Sequence, residues 1–307
     1  MKRRGKVFIA MALLGSLLFQ QIAWGKTVVA MDNIEEQELI KPVELTIIPP
    51  TDYIPVLLYH HFAIRDMGQG NDVVTTQAEL EEQIRYLKEA GYEFISLETL
   101  NQILQRVEKE KVQYRKKGKD ELSLGLDKKY ICITMDDGYF SNYELAFPIF
   151  QKYRVPASVF AVTDSITEQT GLKKFTWGQG QKMVNSRLVK IYNHTANHVS
   201  VDLETEDEFL TQVEKAQLAL QKKLNQDGCR ALAFPNGRFT ENIREELKEM
   251  GFDLLFTVEQ EVITRETSPY EIPRINVESG WNGQDLVQNI ERVARKSFLS
   301  KGRSGNL

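Results

Sequence analysis

Residues 129–138 read KYICITMDDG, an apolar run that ends in two adjacent carboxylates and a glycine. A short apolar run bounded by turn residues is typical of a strand that is buried on both faces of a parallel sheet. Carboxylates are costly to bury unless a cation or hydrogen-bond donors pair with them. The stretch therefore predicts a strand whose carboxyl end either enters a solvated turn or holds a cation with Asp136 and Asp137.

Strand and helix patterns alternate on both sides of this run. Apolar runs such as PVLLYHHF (55–62) and LVKIYN (188–193) are followed by amphipathic stretches, two of which open with capping-box patterns at Thr76 and Thr205. Such alternation predicts an α/β domain with a parallel sheet covered by helices. Because no G-x-G-x-x-G motif follows a strand, a closed or nearly closed (β/α) barrel is favoured over a dinucleotide-binding fold.

The first 25 residues differ from the rest of the chain. A basic start, MKRRGK, precedes the apolar run VFIAMALLGSLLF, and small residues follow at Ala23 and Gly25. This pattern is typical of a secretory signal, and the apolar run is short for a membrane span. The pattern predicts a signal peptide or uncleaved signal anchor over 1–25, export to the cell surface or cell wall, a tether over 26–53 and a single domain over 54–300.

Charge argues against nucleic acid as a partner. The formal net charge of the 307 residues is −4, and the first 25 residues carry four basic side chains and no acids. Nucleic-acid binding requires a basic surface, which this balance does not favour. The charged segment 106–129 is either a basic patch for an anionic polymer or a solvated insertion, and the second interpretation is favoured.

A histidine pair, His194-Thr-Ala-Asn-His198, directly follows LVKIYN. On one helical turn, side chains at i and i+4 point the same way, a spacing common among metal ligands. The motif lacks the glutamate of the H-E-x-x-H zinc proteases, and taken alone it is weak evidence for a metal, because a surface pair is commoner. Functional groups of α/β barrels project from the carboxyl ends of strands, where an acid of KYICITMDDG also lies. One carboxylate and two imidazoles predict a divalent metal site, with zinc favoured.

Two further segments end at predicted strand termini. His60 and His61 close PVLLYHHF, and either is a candidate general acid because imidazole titrates near neutral pH. Pro235 and Gly237 interrupt a strand in AFPNG (233–237), where the backbone N–H of Asn236 is placed to stabilise an oxyanion. Each segment taken alone also fits an ordinary structural turn.

The three motifs TMDDG, HTANH and AFPNG resemble, in this order, the leading motifs of the polysaccharide deacetylases, the NodB-like carbohydrate esterases. The resemblance covers about residues 54–278. It implies a distorted (β/α) barrel and metal-dependent removal of acetyl groups from sugar amides. By motif, it implies Asp136 as general base and an oxyanion site along Pro235 and Asn236. The metal ligands that it implies are Asp137, His194 and His198.

Departures from the common family pattern narrow the resemblance. Many members have a tyrosine where this chain has Asn236, an arginine where it has Ala233, and a late Leu-x-His motif that supplies the general acid, whereas no histidine follows His198. The combination resembles an exported branch of the family that opens with a Tyr-His strand.

That branch implies His60 as the general acid, with His61 less favoured. Arg274 in EIPRINV (271–277) is predicted, from its charge and strand-end position, to replace the missing arginine. An ion pair with Arg274 would lower the pKa of Asp136 and keep its carboxylate ionised.

The sequence therefore predicts a metal-dependent N-deacetylase of a cell-surface or cell-wall glycan that contains N-acetylhexosamine, either peptidoglycan or the linkage sugar of a wall polymer. Poly-β-1,6-N-acetylglucosamine is the competing substrate, because the Tyr-His branch includes its deacetylases. An O-acetyl esterase ranks lower. A barrel that binds glycan without turnover is the alternative of another class. The membrane enters only through an uncleaved signal anchor.

Overall fold

Ten short strands and seven α-helices alternate along the residues that the computed structural model describes, 52–68, 73–117 and 123–304. The strands are β1 (Val56–Tyr59), β2 (His61–Ala63), β3 (Val74–Thr76), β4 (Tyr92–Phe94), β5 (Lys129–Met135), β6 (Ala157–Ala161), β7 (Val189–Asn193), β8 (Ala231–Ala233), β9 (Leu254–Phe256) and β10 (Ile275–Asn276). The helices are α1 (Gln77–Glu89), α2 (Leu97–Lys117), α3 (Phe147–Tyr153), α4 (Trp177–Asn185), α5 (Glu206–Lys223), α6 (Glu241–Glu249) and α7 (Gly283–Ser304). A π-helical turn, Asn142–Ala146, precedes α3, and a 3-10 turn, Pro235–Gly237, follows β8.

Eight of these strands form one parallel sheet, in the order β10-β1-β5-β6-β7-β8-β9 with β4 beside the start of β5. The chain before β10 connects the two edges, because Ile272 bridges to Phe256 of β9 and Ile275 pairs with Leu57 of β1. The sheet therefore curls into a distorted (β/α) barrel in a single domain. This confirms the predicted fold class.

The two faces of each central strand pack against different partners. In β5, Ile131, Ile133 and Met135 belong to the apolar cluster that includes residues of the outer helices, whereas Cys132 belongs to a second cluster with residues of five other strands. Successive side chains of a strand point to opposite faces, so the second cluster fills the inside of the barrel. Burial on both faces explains why KYICITM reads as an uninterrupted apolar run.

Side-chain caps begin the helices at the predicted positions. The capping boxes Thr76–Glu79 and Thr205–Glu208 are both formed, with each threonine accepting from the glutamate N–H and each glutamate accepting from the threonine N–H. A third box, which the sequence reading did not single out, opens α4 at Thr176 and Gln179. Each cap stabilises its helix by about 1 kcal/mol.

The prediction of a solvated insertion over 106–129 is wrong in its extent. Helix α2 continues through Lys117, and both Val107 and Leu124 are buried in the core. A guanidinium N–H of Arg106 also donates to the Leu124 carbonyl. Much of the segment is therefore the charged outer face of a helix that belongs to the domain.

The predicted signal segment (1–25) and most of the predicted tether (26–53) lie outside the described residues. The last two tether residues belong to the folded domain, because Asp52 and Tyr53 are buried and the Asp52 carboxylate accepts from the Leu124 N–H. Among the described residues, no helix is both long enough and apolar enough to span a membrane.

Candidate active site

The predicted functional residues meet at the carboxyl edge of the barrel. Strands β1, β5, β6, β7 and β8 are parallel neighbours in this order, so all of their carboxyl ends open on the same side. Tyr59 of β1 is in register with Met135 of β5, and its carbonyl accepts from the Asp136 N–H at 3.0 Å. His60, the two aspartates, the histidine pair and the AFPNG turn follow these strand ends directly.

Asp136 forms a two-pronged ion pair with Arg274, a residue far away in the sequence. Arg274 Nη1 donates to Asp136 Oδ1 at 2.7 Å, and Nη2 donates to Oδ2 at 2.8 Å. The Asp136 residue is 3% exposed and Arg274 is 0% exposed. A bidentate guanidinium–carboxylate pair fixes both the position and the orientation of the carboxylate. The structure thus brings Arg274 to the carboxylate with which its pairing was predicted.

Two further donor contacts of Arg274 lie inside the barrel. Its Nε donates to the Thr257 carbonyl at 2.8 Å, and Nη1 lies 3.4 Å from the Thr134 hydroxyl. The guanidinium carbon lies 5.6 Å from the ring centre of Phe160 and 6.0 Å from that of Phe256. These contacts hold the cation in one position, so that it cannot follow the carboxylate toward solvent.

The pair controls the charge of Asp136. Burial by itself raises the pKa of this carboxyl, but the Arg274 guanidinium, together with His194 and His60, outweighs burial and lowers the pKa to about 2. The carboxylate is therefore ionised throughout the neutral pH range, as a proton acceptor must be before it acts.

Asp137, His194 and His198 form the candidate metal site. Asp137 Oδ1 lies 3.5 Å from His194 Nε2 and 3.4 Å from His198 Nε2, and one ligand atom from each residue lies within 4.8 Å of the others. Ligand atoms around a tetrahedral ion with bonds of about 2.0–2.1 Å lie about 3.4 Å apart. The donor set and its spacing therefore fit a divalent cation such as zinc.

The prediction that HTANH forms a helical turn is wrong. Residues 194–198 are a loop, in which Thr195 (φ 63°) and His198 (φ 61°) adopt left-handed backbone conformations. Asp137 is also left-handed (φ 71°), and the turn at Gly138 (φ 71°) follows it. The imidazoles converge because of these local dihedral angles and not through helical periodicity. The left-handed turn directs the second acid to the same side as the first.

His194 is oriented by a backbone carbonyl. Its Nδ1 lies 2.7 Å from the Ala233 oxygen, which can only accept, so Nδ1 carries the proton and Nε2 presents a lone pair toward Asp137. Burial lowers the pKa of His194, against the opposing effect of Asp136 and Asp137. A neutral imidazole whose other ring nitrogen donates to a carbonyl is the form that ligates a metal.

The two neighbouring histidines of the β1 end have different surroundings. His61 Nδ1 lies 3.0 Å from the Ser141 hydroxyl, its ring lies edge-on to Tyr139 at 5.2 Å, and its pKa is lowered by burial and by Lys174. His60 is half-buried and lies close enough to act electrostatically on Asp136. Of the two histidines, His60 is therefore the one that acts electrostatically on the predicted base.

Two polar residues that the sequence analysis did not single out hold this histidine strand. Asn142 Nδ2 donates to the His60 carbonyl at 2.8 Å, and the Phe62 N–H donates to the Ser141 hydroxyl at 2.9 Å. Both side chains are buried at the start of the π-helical turn. Single π-helical turns are frequent at functional sites. Their signal in the sequence was a Ser-Asn pair that closely follows the two aspartates.

The AFPNG turn projects a free backbone donor. Asn236 is exposed and left-handed (φ 56°), and its N–H donates to no group among the residues that the structure describes. The turn is tight because a Cβ on Gly237 would lie 2.5 Å from the Val258 side chain. Pro235 is buried beneath it. The arrangement leaves the Asn236 N–H available to an oxyanion.

Comparison with known proteins finds similarity to polysaccharide deacetylases. The family model described as polysaccharide deacetylase matches residues 124–255. YxkH of Bacillus subtilis, which is named as a polysaccharide deacetylase, is 23% identical over 240 residues, covering 78% of this chain and 77% of its own. The poly-β-1,6-N-acetyl-D-glucosamine N-deacetylase of Staphylococcus epidermidis is 27% identical over 228 residues, covering 68% of this chain and 73% of its own.

A solved structure shows a similar fold. The Streptococcus pyogenes deacetylase PplD, determined in complex with acetate, superposes with a TM-score of 0.65 at 22% identity. The match covers 78% of this chain and 98% of that one. The barrel described above is therefore shared over nearly the whole length of that protein.

Proposed function

The chain belongs to the polysaccharide deacetylase family of hydrolases, and from this premise we propose that it is an exported, metal-dependent N-deacetylase. Its substrate is a cell-surface or cell-wall polysaccharide that contains N-acetylhexosamine, either peptidoglycan or the linkage sugar of a wall polymer. Basic residues followed by an apolar run in the first 25 residues support export.

The observation that carries the proposal is the division of labour between two adjacent carboxylates. Asp137 faces two imidazole nitrogens at 3.4–3.5 Å, whereas Asp136 is held away from that pair by Arg274, with its Oδ2 3.9 Å from His194 Nε2. One acid is thus placed as a ligand, and its neighbour is left free to accept a proton.

The chain supplies the groups for hydrolysis of an acetamide. Asp137, His194 and His198 would hold a divalent cation, which would supply Lewis acidity toward the acetyl carbonyl and toward water. Asp136 accepts the proton of the attacking water, and Arg274 keeps its carboxylate oriented. A C–O bond forms at the acetyl carbon.

Two further groups complete the reaction. The Asn236 N–H donates to the oxygen that becomes negative in the tetrahedral state. His60 then donates a proton to the amide nitrogen as the C–N bond breaks, so that acetate and a free amine leave. The Ser141 and Asn142 contacts hold the histidine strand and position His60 for this step.

A second substrate is favoured by one comparison. The relative from Staphylococcus epidermidis is named for poly-β-1,6-N-acetyl-D-glucosamine, so this neutral polymer is the alternative substrate for the same chemistry. A barrel that binds glycan without turnover is not supported, because the site retains a costly buried ion pair beside a complete ligand set.

The test is acetate release by the purified protein from cell-wall glycan and from β-1,6-linked N-acetylglucosamine oligomers, with zinc added after chelation. We expect release that requires the metal. His60→Gln should lower kcat by about 10²–10⁴-fold because the leaving amine loses its proton donor.

The neighbouring histidine provides the matched control. His61→Gln removes the same ring from the adjacent position and should retain activity within about tenfold, since His61 contacts Ser141 and not Asp136. Equal losses in the two variants would refute the assignment of His60. Zinc-independent release, or none from either glycan, would refute the proposed function.

A further inference from the structure

Lys174 is fixed beside the two aspartates by backbone pairing. The Phe140 N–H donates to the Lys173 carbonyl at 2.8 Å, and the Phe175 N–H donates to the Gly138 carbonyl at 3.3 Å. Tyr139 and Lys174 form an antiparallel bridge between these bonds. The segment that carries Lys174 therefore lies along the turn that leaves the catalytic strand, and a helix capped at Thr176 follows it.

The amino group of Lys174 has no anionic partner in this position. Its Nζ lies 3.6 Å from the ring centre of Tyr139, and no ion pair or hydrogen bond holds it among the residues that the structure describes. The residue is half-buried. Burial lowers its pKa, and the carboxylates of Asp137 and Glu168 oppose that effect.

The neighbours of Lys174 place this cation at the mouth of the active site. Lys174 acts electrostatically on His61, and Asp137, which is one of the candidate metal ligands, acts electrostatically on Lys174. A metal at Asp137 adds a second positive centre to the same opening. Two cations that face one concave site attract anions and repel amines.

The contact with Tyr139 does not by itself account for this arrangement. A cation–π contact stabilises an ammonium only modestly, whereas partial burial of an unpaired charge costs free energy that increases with desolvation. The ring fixes the direction of the amino group and leaves its N–H donors free. This geometry leaves the ammonium able to bind an anion.

We propose that Lys174 binds an anionic substituent of the glycan, a carboxylate or a phosphate, on or next to the sugar whose acetamide is hydrolysed. The lysine thereby makes the site selective for anionic polymers of N-acetylhexosamine over neutral ones. The inference rests on the proposed function and narrows it, since a lactyl carboxylate or a wall-polymer phosphate qualifies and neutral β-1,6-linked N-acetylglucosamine does not.

The test compares substrates with and without anionic substituents. A tetrasaccharide of alternating N-acetylglucosamine and N-acetylmuramic acid is compared with its methyl ester, with a phosphorylated N-acetylhexosamine oligomer and with a neutral β-1,6 oligomer. We expect kcat/KM for acetate release to be at least about tenfold higher for the free-acid tetrasaccharide than for its methyl ester, mainly through a lower KM. The carboxylate and phosphate arms identify which anion is preferred.

Adjacent lysines provide matched variants. Lys174→Gln should reduce the preference for the free acid over the methyl ester to about one, and Lys174→Arg should restore part of it. Lys173→Gln removes the same charge from the exposed neighbour and should leave the preference unchanged. An equal loss on both substrates in Lys174→Gln would show a merely structural role and overturn the proposal.

A binding measurement separates this inference from the proposed function. Calorimetric titration of the chelator-treated protein with the tetrasaccharide and its methyl ester needs no turnover. We expect about tenfold tighter binding of the free acid, falling with added salt and lost in Lys174→Gln. Equal affinities would refute the role of Lys174 even if acetate is released, and absence of acetate release would refute only the deacetylase.

Discussion

Backbone strain is concentrated in the residues of the candidate site. Seven non-glycine residues of the described chain have positive φ, and four of them belong to the three motifs: Asp137, Thr195, His198 and Asn236. Each left-handed residue costs about 1–2 kcal/mol. The surrounding contacts maintain these conformations, which direct side chains and one N–H where a regular strand or helix would not place them.

At the same scale, the ion pair between Asp136 and Arg274 gives a stability prediction. Arg274→Met keeps most of the side-chain volume but leaves a buried carboxylate without a partner, and it should reduce the free energy of unfolding by about 3–5 kcal/mol at pH 7. Urea unfolding measures the loss. The double variant Asp136→Leu with Arg274→Met removes both charges and should regain most of that stability while remaining inactive.

The pH dependence of the stability lost in Arg274→Met tests whether the unpaired carboxylate causes that loss. In the wild type the folded-state pKa of Asp136 is about 2, below its ordinary value, so the pair stabilises the fold above about pH 4 and this contribution disappears as the pH falls toward 2. In Arg274→Met the unpaired carboxyl should protonate at higher pH than in the wild type. The gap in stability should therefore narrow between pH 7 and pH 4, and a constant gap would contradict this account.

At the scale of elements, parallel strands bring distant motifs to one edge of the sheet. Short irregular turns then set the direction of their side chains and of the Asn236 N–H. The turn after β8 shows this most clearly. Gly237 has φ 68°, and an added Cβ would lie 2.5 Å from the Val258 side chain and 2.9 Å from the Val258 nitrogen. Only glycine allows the turn to approach this backbone so closely while it presents the Asn236 N–H.

We therefore expect Gly237→Ala to reduce the free energy of unfolding by about 2–4 kcal/mol and to lower acetate release by displacing Asn236. Gly280→Ala is the matched control, because Gly280 is also left-handed (φ 82°) but has no atom within 4 Å of the added Cβ. The free energy of unfolding of that variant should fall by only about 1 kcal/mol, which is the cost of the left-handed backbone conformation without a steric clash. Equal losses measured by urea unfolding would show that contact with Val258 has no role.

At the scale of the whole molecule, the candidate metal site joins the ends of β5 and β7, so metal binding there should stabilise the entire domain. Zinc at about 100 times its dissociation constant should add about 2.7 kcal/mol, which corresponds to about 5–10 °C in Tm for a domain of this size. Thermal unfolding of the chelator-treated protein with and without zinc measures the effect.

Two histidine variants test whether this stabilisation arises at the candidate site. His198→Gln removes a ligand whose side chain is 41% exposed, so the fold should persist while most of the gain from zinc is lost. His61→Gln should retain the gain, since His61 is not among the candidate ligands. A full gain from zinc in His198→Gln would place the metal elsewhere.

Local signals in the sequence were sufficient to predict the strands, the helix starts and the acids and histidines of the candidate site. KYICITM, LVKIYN and the capping boxes at Thr76 and Thr205 define strands and helix starts through burial pattern and hydrogen bonds between near neighbours. The strand-end positions of the motifs predicted that acids and histidines meet at one edge, because parallel strands share one direction. The barrel and the resemblance to polysaccharide deacetylases follow from that local information, and the catalytic roles are predictions.

Contacts through space were decided by the tertiary structure alone. The approach of Arg274 to Asp136, which charge and strand-end position suggested, spans 138 positions, and its two-pronged geometry depends on how the curled sheet brings its edges together. The Ala233 carbonyl that orients His194, and the Tyr139 ring under Lys174, carry no signal in the pattern of residue types. The helical turn expected over HTANH is absent for the same reason. Residue spacing constrains a side chain only where the backbone is regular, and this site is built from dihedral angles and packing that the folded barrel imposes.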